Sequence, residues 1–156
     1  MPEIKFYYAP GACSLAPHIL LREAGLEFEG IPMRVSAART SFPESFRLVN
    51  PKMRVPVLSL DSEIITEVPA ICTLISSLAP SMNLMGKTSL EIVRVHEWMN
   101  WLSGTLHGAG FGHLFRPGRW TESRDETVWE GVKGRAREVV GECFDEIDGR
   151  LVEGSG

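Results

Sequence analysis

Cys13 is the residue whose type and position best suit chemistry. It follows an aromatic, β-rich run and a Pro10-Gly11-Ala12 turn, and it stands where helical spacing begins. A helix N-terminus offers unpaired N–H groups and a partial positive charge. Both favour an anion, so a thiolate there is expected to have a lowered pKa and raised reactivity. The commoner fate of a free cysteine is that of a small buried apolar side chain, and the loop position shifts the balance toward function. Ala16 occupies the place three residues on, so two-cysteine disulfide exchange within this loop is excluded.

Two further places carry potential chemistry. Pro56 follows Val55 at the start of an apolar strand. A cis bond there would turn the Val55 N–H and C=O outward, where an extended peptide can pair with them; a trans proline at a strand edge is the plainer alternative. Thr66-Glu67-Val68 marks a strand-to-helix junction. A carboxylate beside exposed amides could hold the zwitterionic end of an amino acid, or Glu67 could simply favour the helix dipole.

A later stripe, His96, Asn100, Ser103, His107, Phe111 and Leu114, mixes polar and apolar groups along one line. It reads as a cleft wall or as a solvated flank, and spacing alone slightly favours the flank. Other motifs fail. The glycine-rich run 108–112 follows no strand and lacks a Lys-Ser/Thr, so it is no phosphate loop. His96-Glu97 opens like a zinc-protease signature, but Asn100 replaces the second histidine. The four tryptophans read as core or interface anchors, and Cys72 and Cys143 as packing residues on helices.

The elements that must position these groups are legible from periodicity. Ile4 to Ala9 forms a strand stopped by Pro10-Gly11. A helix follows, with Ser14 as its cap, Pro17 in its first turn and Gly25 at its close. Phe28 to Val35 forms a second strand, placed at an edge by Pro32. Residues 36–47 give a loop and a short helix. Val55 to Leu60 and Glu63 to Thr66 make a hairpin across Asp61-Ser62, and Glu67 to Leu78 is a helix with Pro69 in its first turn. This βαβαββα order over residues 1–80 is that of a thioredoxin-like α/β domain. Residues 81–88 read as a linker and 89–156 as an all-α domain. That domain has one helix from about Leu90 to Leu114, with a core stripe of Val95, Met99, Leu102, Leu106 and Ala109, and another from about Glu122 to Leu151.

Composition narrows the function classes. The chain has 156 residues, 44% hydrophobic and 23% charged, which fits folded globular material rather than disorder. A net charge of −4 lacks the basic surplus of a nucleic-acid binder. No apolar run reaches the roughly 20 residues of a membrane-spanning helix, and no secretory signal opens the chain. Three widely spaced cysteines argue against a disulfide framework and for a reducing, cytoplasmic setting. No paired Cys-x-x-Cys suggests a metal.

Together these residues resemble the cytosolic glutathione transferase family, most closely its bacterial-type, cysteine-bearing beta-class branch. The segment from Phe6 through Cys13 to His18 is similar to that branch's first strand, loop and helix. Residues Asn50 to Leu58 are similar to its cis-proline segment. Glu97 to Trp101, Leu106-His107 and Leu114 to Pro117 are similar to its first C-terminal helix and exit. The resemblance implies a glutathione site with Cys13, Ser14 and His107 in catalytic roles. Val55 and Pro56 would meet the cysteinyl part of the tripeptide, and Glu67 and Val68 its γ-glutamyl end. Asn100 would reach in from the helical domain, with Arg39 and Arg54 as candidates for the glycyl carboxylate. Phe111 and Phe115 would line a pocket for a hydrophobic electrophile. The implied activity is detoxifying conjugation by a cytoplasmic homodimer, with glutathione as co-substrate and no metal.

The sequence departs from the family pattern in two places. Val68 stands where the family has a serine, so a hydroxyl is missing from the γ-glutamyl motif. The chain stops at Gly154-Ser155-Gly156, where members continue for several helices, so the helical domain is expected to be incomplete. Two alternatives remain open: a non-catalytic binding or regulatory module of the same fold, and a glutaredoxin-type disulfide reductase working through Cys13 alone.

Overall fold

The computed structural model describes residues 2–34 and 42–154. It divides into two compact units, Met1–His96 and Glu97–Gly156.

The first unit is built on a four-stranded sheet in the order β2-β1-β3-β4. Strand β1 (Ile4–Tyr8) pairs parallel with β2 (Glu29–Pro32) and antiparallel with β3 (Val57–Leu60). Strand β3 pairs antiparallel with β4 (Glu63–Thr66). Helix α1 (Leu15–Glu23) connects β1 to β2, and α2 (Val68–Leu78) follows β4. This is the thioredoxin-like arrangement that the element order predicts. Pro32 lies on an edge strand, as its missing N–H requires.

Strand alternation sorts the core into two layers. Ile4, Phe6 and Leu58 face one side and pack with Leu21 of α1 and Ile71 and Ile75 of α2. Phe6, Leu21, Leu58, Ile71 and Ile75 are completely excluded from water. Each contributes about 1.5–3 kcal/mol of transfer free energy at full burial. On the opposite face Val57 packs with Met33, Phe42 and Phe46, and Tyr7 borders that cluster.

The punctuation residues explain the boundaries. Gly25, at φ 64°, ends α1, and the Leu26 amide returns to the Leu21 carbonyl at 3.2 Å. Pro17 is the third residue of α1 and Pro69 the second of α2, where missing N–H groups leave no helical bond unmade. Strand β3 starts at Val57 rather than Val55, because Pro56 has no N–H for the ladder.

Helix α3 (Ser89–Trp101) spans the division between the units. The long helix expected through Leu114 changes character after Trp101. Leu102–Phe111 is a π-helix with a wider turn, and a short α4 (Gly112–Phe115) ends it. Widening the turn breaks the three-and-four spacing of the apolar stripe. Val95, Met99, Leu102, Leu106 and Ala109 are all half-buried instead of forming a sealed face.

Helix α5 (Glu126–Glu153) packs on the π-helix and α4. It starts four residues later than expected. Asp125 caps it, accepting from the Thr127 amide at 2.7 Å, and Trp129 Nε1 donates to the Ser123 carbonyl at 2.7 Å. Gly110 is buried, and a Cβ there would lie 2.8 Å from Val140 Cγ2, so the glycine permits α5 to approach. No helix among the described residues is long and apolar enough to cross a membrane.

Candidate functional site

The first unit gathers its chemistry at the β1–α1 loop, the segment before β3, and the β4–α2 junction. The loop after β1 is closed by Ser14, which is 1% exposed. Its hydroxyl donates to the Ala9 carbonyl at 2.9 Å and accepts from the Ala9 amide at 3.1 Å. Ser14 does occupy the cap position, but its side chain makes no capping bond to α1. The expectation of Ser14 as a helix cap is corrected accordingly: its one proton goes to the Ala9 carbonyl and clasps the loop.

Cys13 sits beside that clasp, half-buried. Its Sγ lies 3.8 Å from the carbonyl oxygen of Val55, to which the thiol donates. The Val55–Pro56 bond is cis. Asn50, 2% exposed, steadies the approach to this bond. It donates from Nδ2 to the Arg54 carbonyl at 2.7 Å and accepts from the Lys52 amide at 3.1 Å.

Burial pushes the Cys13 thiol above its ordinary value, because a thiolate there would lose solvation. The N–H groups of Cys13 and Ser14 pull downward, as does the charge of Arg54, while Glu67 adds to the upward push. Desolvation outweighs the helix-end contribution, so the expected lowering is overturned. Cys13 holds its proton at neutral pH and serves as a donor.

Glu67 occupies the position before α2 at φ 73° and ψ 129°, a conformation uncommon for a residue with a side chain. Its carboxylate makes no helix cap. It pairs with Lys52 Nζ, which also donates to Thr66 Oγ1 at 2.8 Å. Sequence reasoning missed Lys52. A lone lysine in a loop carries no spacing signal, and its partner lies 15 residues away. Val68 is the first residue of α2 and half-buried. Arg54 is exposed, and Arg39 lies outside the described residues.

The second unit holds the other expected groups. Asn100 is exposed on α3, and His107 is exposed on the π-helix. Phe111 and Phe115 stack at 5.6 Å between ring centroids, and Phe144 meets Phe111 edge-on at 6.4 Å. Cys72 and Cys143 are buried, and burial raises the thiol pKa of both, that of Cys72 to about 11. No group of three or more His, Cys, Asp or Glu side chains among the described residues could hold a metal ion.

Residues 2–77 match the family described as glutathione S-transferase, N-terminal domain. The chain is 38% identical over 116 residues to glutathione S-transferase GstA of Escherichia coli O157:H7, covering 73% of this chain and 57% of that protein. A sphingomonad glutathione S-transferase solved with glutathione shares 37% identity at a TM-score of 0.76. The match covers 95% of this chain and 70% of the other. A bacterial beta class glutathione S-transferase from Sphingomonas chungbukensis shares 36% identity at a TM-score of 0.76, covering 94% and 69%. The chain thus spans little more than half the length of the curated relative. With its thioredoxin-like sheet, its half-buried Cys13 and its cis Val55–Pro56 bond, the chain belongs to the bacterial-type glutathione S-transferase family.

Proposed function

We propose that this protein is a glutathione transferase that activates the glutathione thiol for attack on a hydrophobic electrophile. The observation that carries the reading is the convergence at Cys13. Its thiol lies against the Val55 carbonyl ahead of a cis proline, within the electrostatic reach of both Glu67 and Arg54. The sphingomonad relative solved with glutathione supports the same ligand.

In this reading an extended tripeptide pairs with the Val55 backbone, as a strand adds to an edge. Glu67 binds the γ-glutamyl ammonium. The glutathione sulfur settles beside Cys13, whose one retained proton would turn from the Val55 carbonyl to the ligand's anionic sulfur. A free thiol of pKa near 8.5 is mostly protonated at neutral pH. Donation from Cys13, together with nearby N–H groups, favours the ligand's thiolate. Its proton leaves to solvent, its lone pair forms the carbon–sulfur bond, and the electrophile's leaving group departs with the other electron pair. Asn100 and His107 would have roles in binding and activating glutathione, and Phe111 and Phe115 would meet the electrophile. Arg54 or Arg39 would meet the glycyl carboxylate. Assembly as a homodimer, a detoxifying role and a cytoplasmic setting belong to the same proposal.

Val68 favours a second reading, a glutathione-binding module without turnover, because it offers no hydroxyl to the ligand. The raised pKa of Cys13 weighs against a monothiol reductase, which needs a nucleophilic thiolate. Retention on glutathione-agarose with chlorodinitrobenzene conjugation, impaired in Cys13→Ala, is the outcome expected of the transferase. Retention without conjugation selects the module. Reduction of hydroxyethyl disulfide that vanishes in Cys13→Ala, with conjugation spared, selects the reductase.

A further inference from the structure

The ion pair between Lys52 and Glu67 has a shape that matches an amino-acid zwitterion. An α-amino acid end carries an ammonium and a carboxylate on one carbon. Lys52 and Glu67 present the opposite charges side by side, at the junction of β4 with α2. The donor arithmetic also fits. An ammonium has three N–H groups. Lys52 uses one toward Thr66 Oγ1 and one toward Glu67 Oε1, which leaves a third for an incoming carboxylate. The Glu67 carboxylate has a second oxygen for an incoming ammonium.

Both partners are held from behind. The Lys52 amide is fixed to buried Asn50, and the Glu67 backbone is set by the start of α2, with the Ile71 amide bonded to its carbonyl at 3.0 Å. The two side chains remain about half to two-thirds exposed, so a ligand can reach them.

We infer that Lys52 is a specificity-determining residue: it binds the α-carboxylate of the γ-glutamyl end, while Glu67 binds the ammonium, in place of the hydroxyl that Val68 lacks. The inference rests on the glutathione reading above and deepens it. Lys52 is then more than a surface partner of Glu67, because an exposed ion pair alone contributes little to the fold.

The test compares three thiol ligands by calorimetric titration. These are glutathione, γ-aminobutyryl-Cys-Gly, which lacks the α-carboxylate, and glutaryl-Cys-Gly, which lacks the α-ammonium. The wild-type chain is expected to bind γ-aminobutyryl-Cys-Gly about tenfold more weakly than glutathione, the size of one charge-assisted contact near the surface. Lys52→Met is expected to bind glutathione about tenfold more weakly and to lose the distinction between those two ligands. It should still discriminate against glutaryl-Cys-Gly through Glu67. Lys52→Arg should restore most of the affinity, and the loss in Lys52→Met should appear in KM for glutathione with kcat nearly unchanged.

Undiminished discrimination in Lys52→Met overturns the inference and leaves the transferase reading standing. Tighter glutathione binding by that variant does the same, since Lys52 would then be competing with the ligand's ammonium. Should Lys52→Met fail to fold, equal wild-type affinity for glutathione and γ-aminobutyryl-Cys-Gly still overturns the inference. Absence of glutathione binding by the folded wild-type chain overturns both.

Discussion

The two units bury their side chains very differently. In Met1–His96 the sheet seals Phe6, Leu21, Leu58, Ile71 and Ile75 completely from water. In Glu97–Gly156 the buried positions among the described residues are Gly110, Pro117, Ala136 and Cys143, all small. Phe115 is 70% exposed there, and Phe144, Leu151 and Val152 are also open to solvent. Cys13, Val55, Pro56 and Glu67 thus stand on a scaffold with a filled core. Asn100, His107, Phe111 and Phe115 stand on helices held by half-buried contacts and by the close approach at Gly110. The geometry around Cys13, Val55, Pro56 and Glu67 is accordingly fixed by the packing of the first unit, since groups held by packed elements keep their places without a ligand.

Paired truncations separate the two units by their effect on stability. Phe6→Ala is expected to destabilise the first unit by about 3–5 kcal/mol, the range for a large aromatic removed from a filled core. Phe115→Ala is expected to change stability by no more than about 0.5 kcal/mol. Urea unfolding of both variants, followed by far-ultraviolet circular dichroism, checks the contrast; similar losses would contradict it.

A smaller effect follows from Cys72. Its thiol pKa is raised by burial from 9.0 to about 11. A raised folded-state pKa contributes stability that is fully present below the unfolded value and is lost as pH rises through the folded one. Stability should therefore fall between about pH 9 and pH 11, by on the order of 2–3 kcal/mol from this group. Cys72→Ala should flatten that fall in denaturant titrations across the window. An unchanged slope would mean that Cys72 does not titrate differently on unfolding.

Gly110→Ala sharpens the picture of the second unit. The added methyl meets Val140, so the helix pair must shift, at a cost of about 1–3 kcal/mol. Thermal unfolding of the variant measures it. A neutral or stabilising result would show that the π-helix and α5 have room to spare.

Much of this was readable before the structure, and particular residues show why. The β-rich run from Ile4 and the Pro10-Gly11 that stops it are local signals, and they mark β1 correctly. Pro17, Gly25, Pro32 and Pro69 act through their own backbone chemistry, so the boundaries they mark were legible. The place of Cys13 was legible for the same reason. Its protonation was not, because desolvation is set by what packs around the loop rather than by the loop itself. Ser14 shows the same limit: a hydroxyl before a helix suggests a cap, but the Ala9 backbone captured it. The π-helix interrupts a stripe that reads as ordinary α spacing, and the only local signal is the density of glycines at 104, 108, 110 and 112. Lys52 was invisible, since nothing in its neighbours announces Glu67 as its partner.

The central claim is that Cys13, as a protonated donor, holds the glutathione sulfur as an anion at the start of α1. Ultraviolet difference absorbance of the glutathione complex against pH tests it directly, because Cys72 and Cys143, with pKa values raised by burial, remain silent near neutrality. Bound glutathione is expected to ionise well below the free-thiol value near 8.5, and the shift is expected to shrink markedly in Cys13→Ala. Bound glutathione that titrates like the free thiol, or identically in both chains, would contradict it.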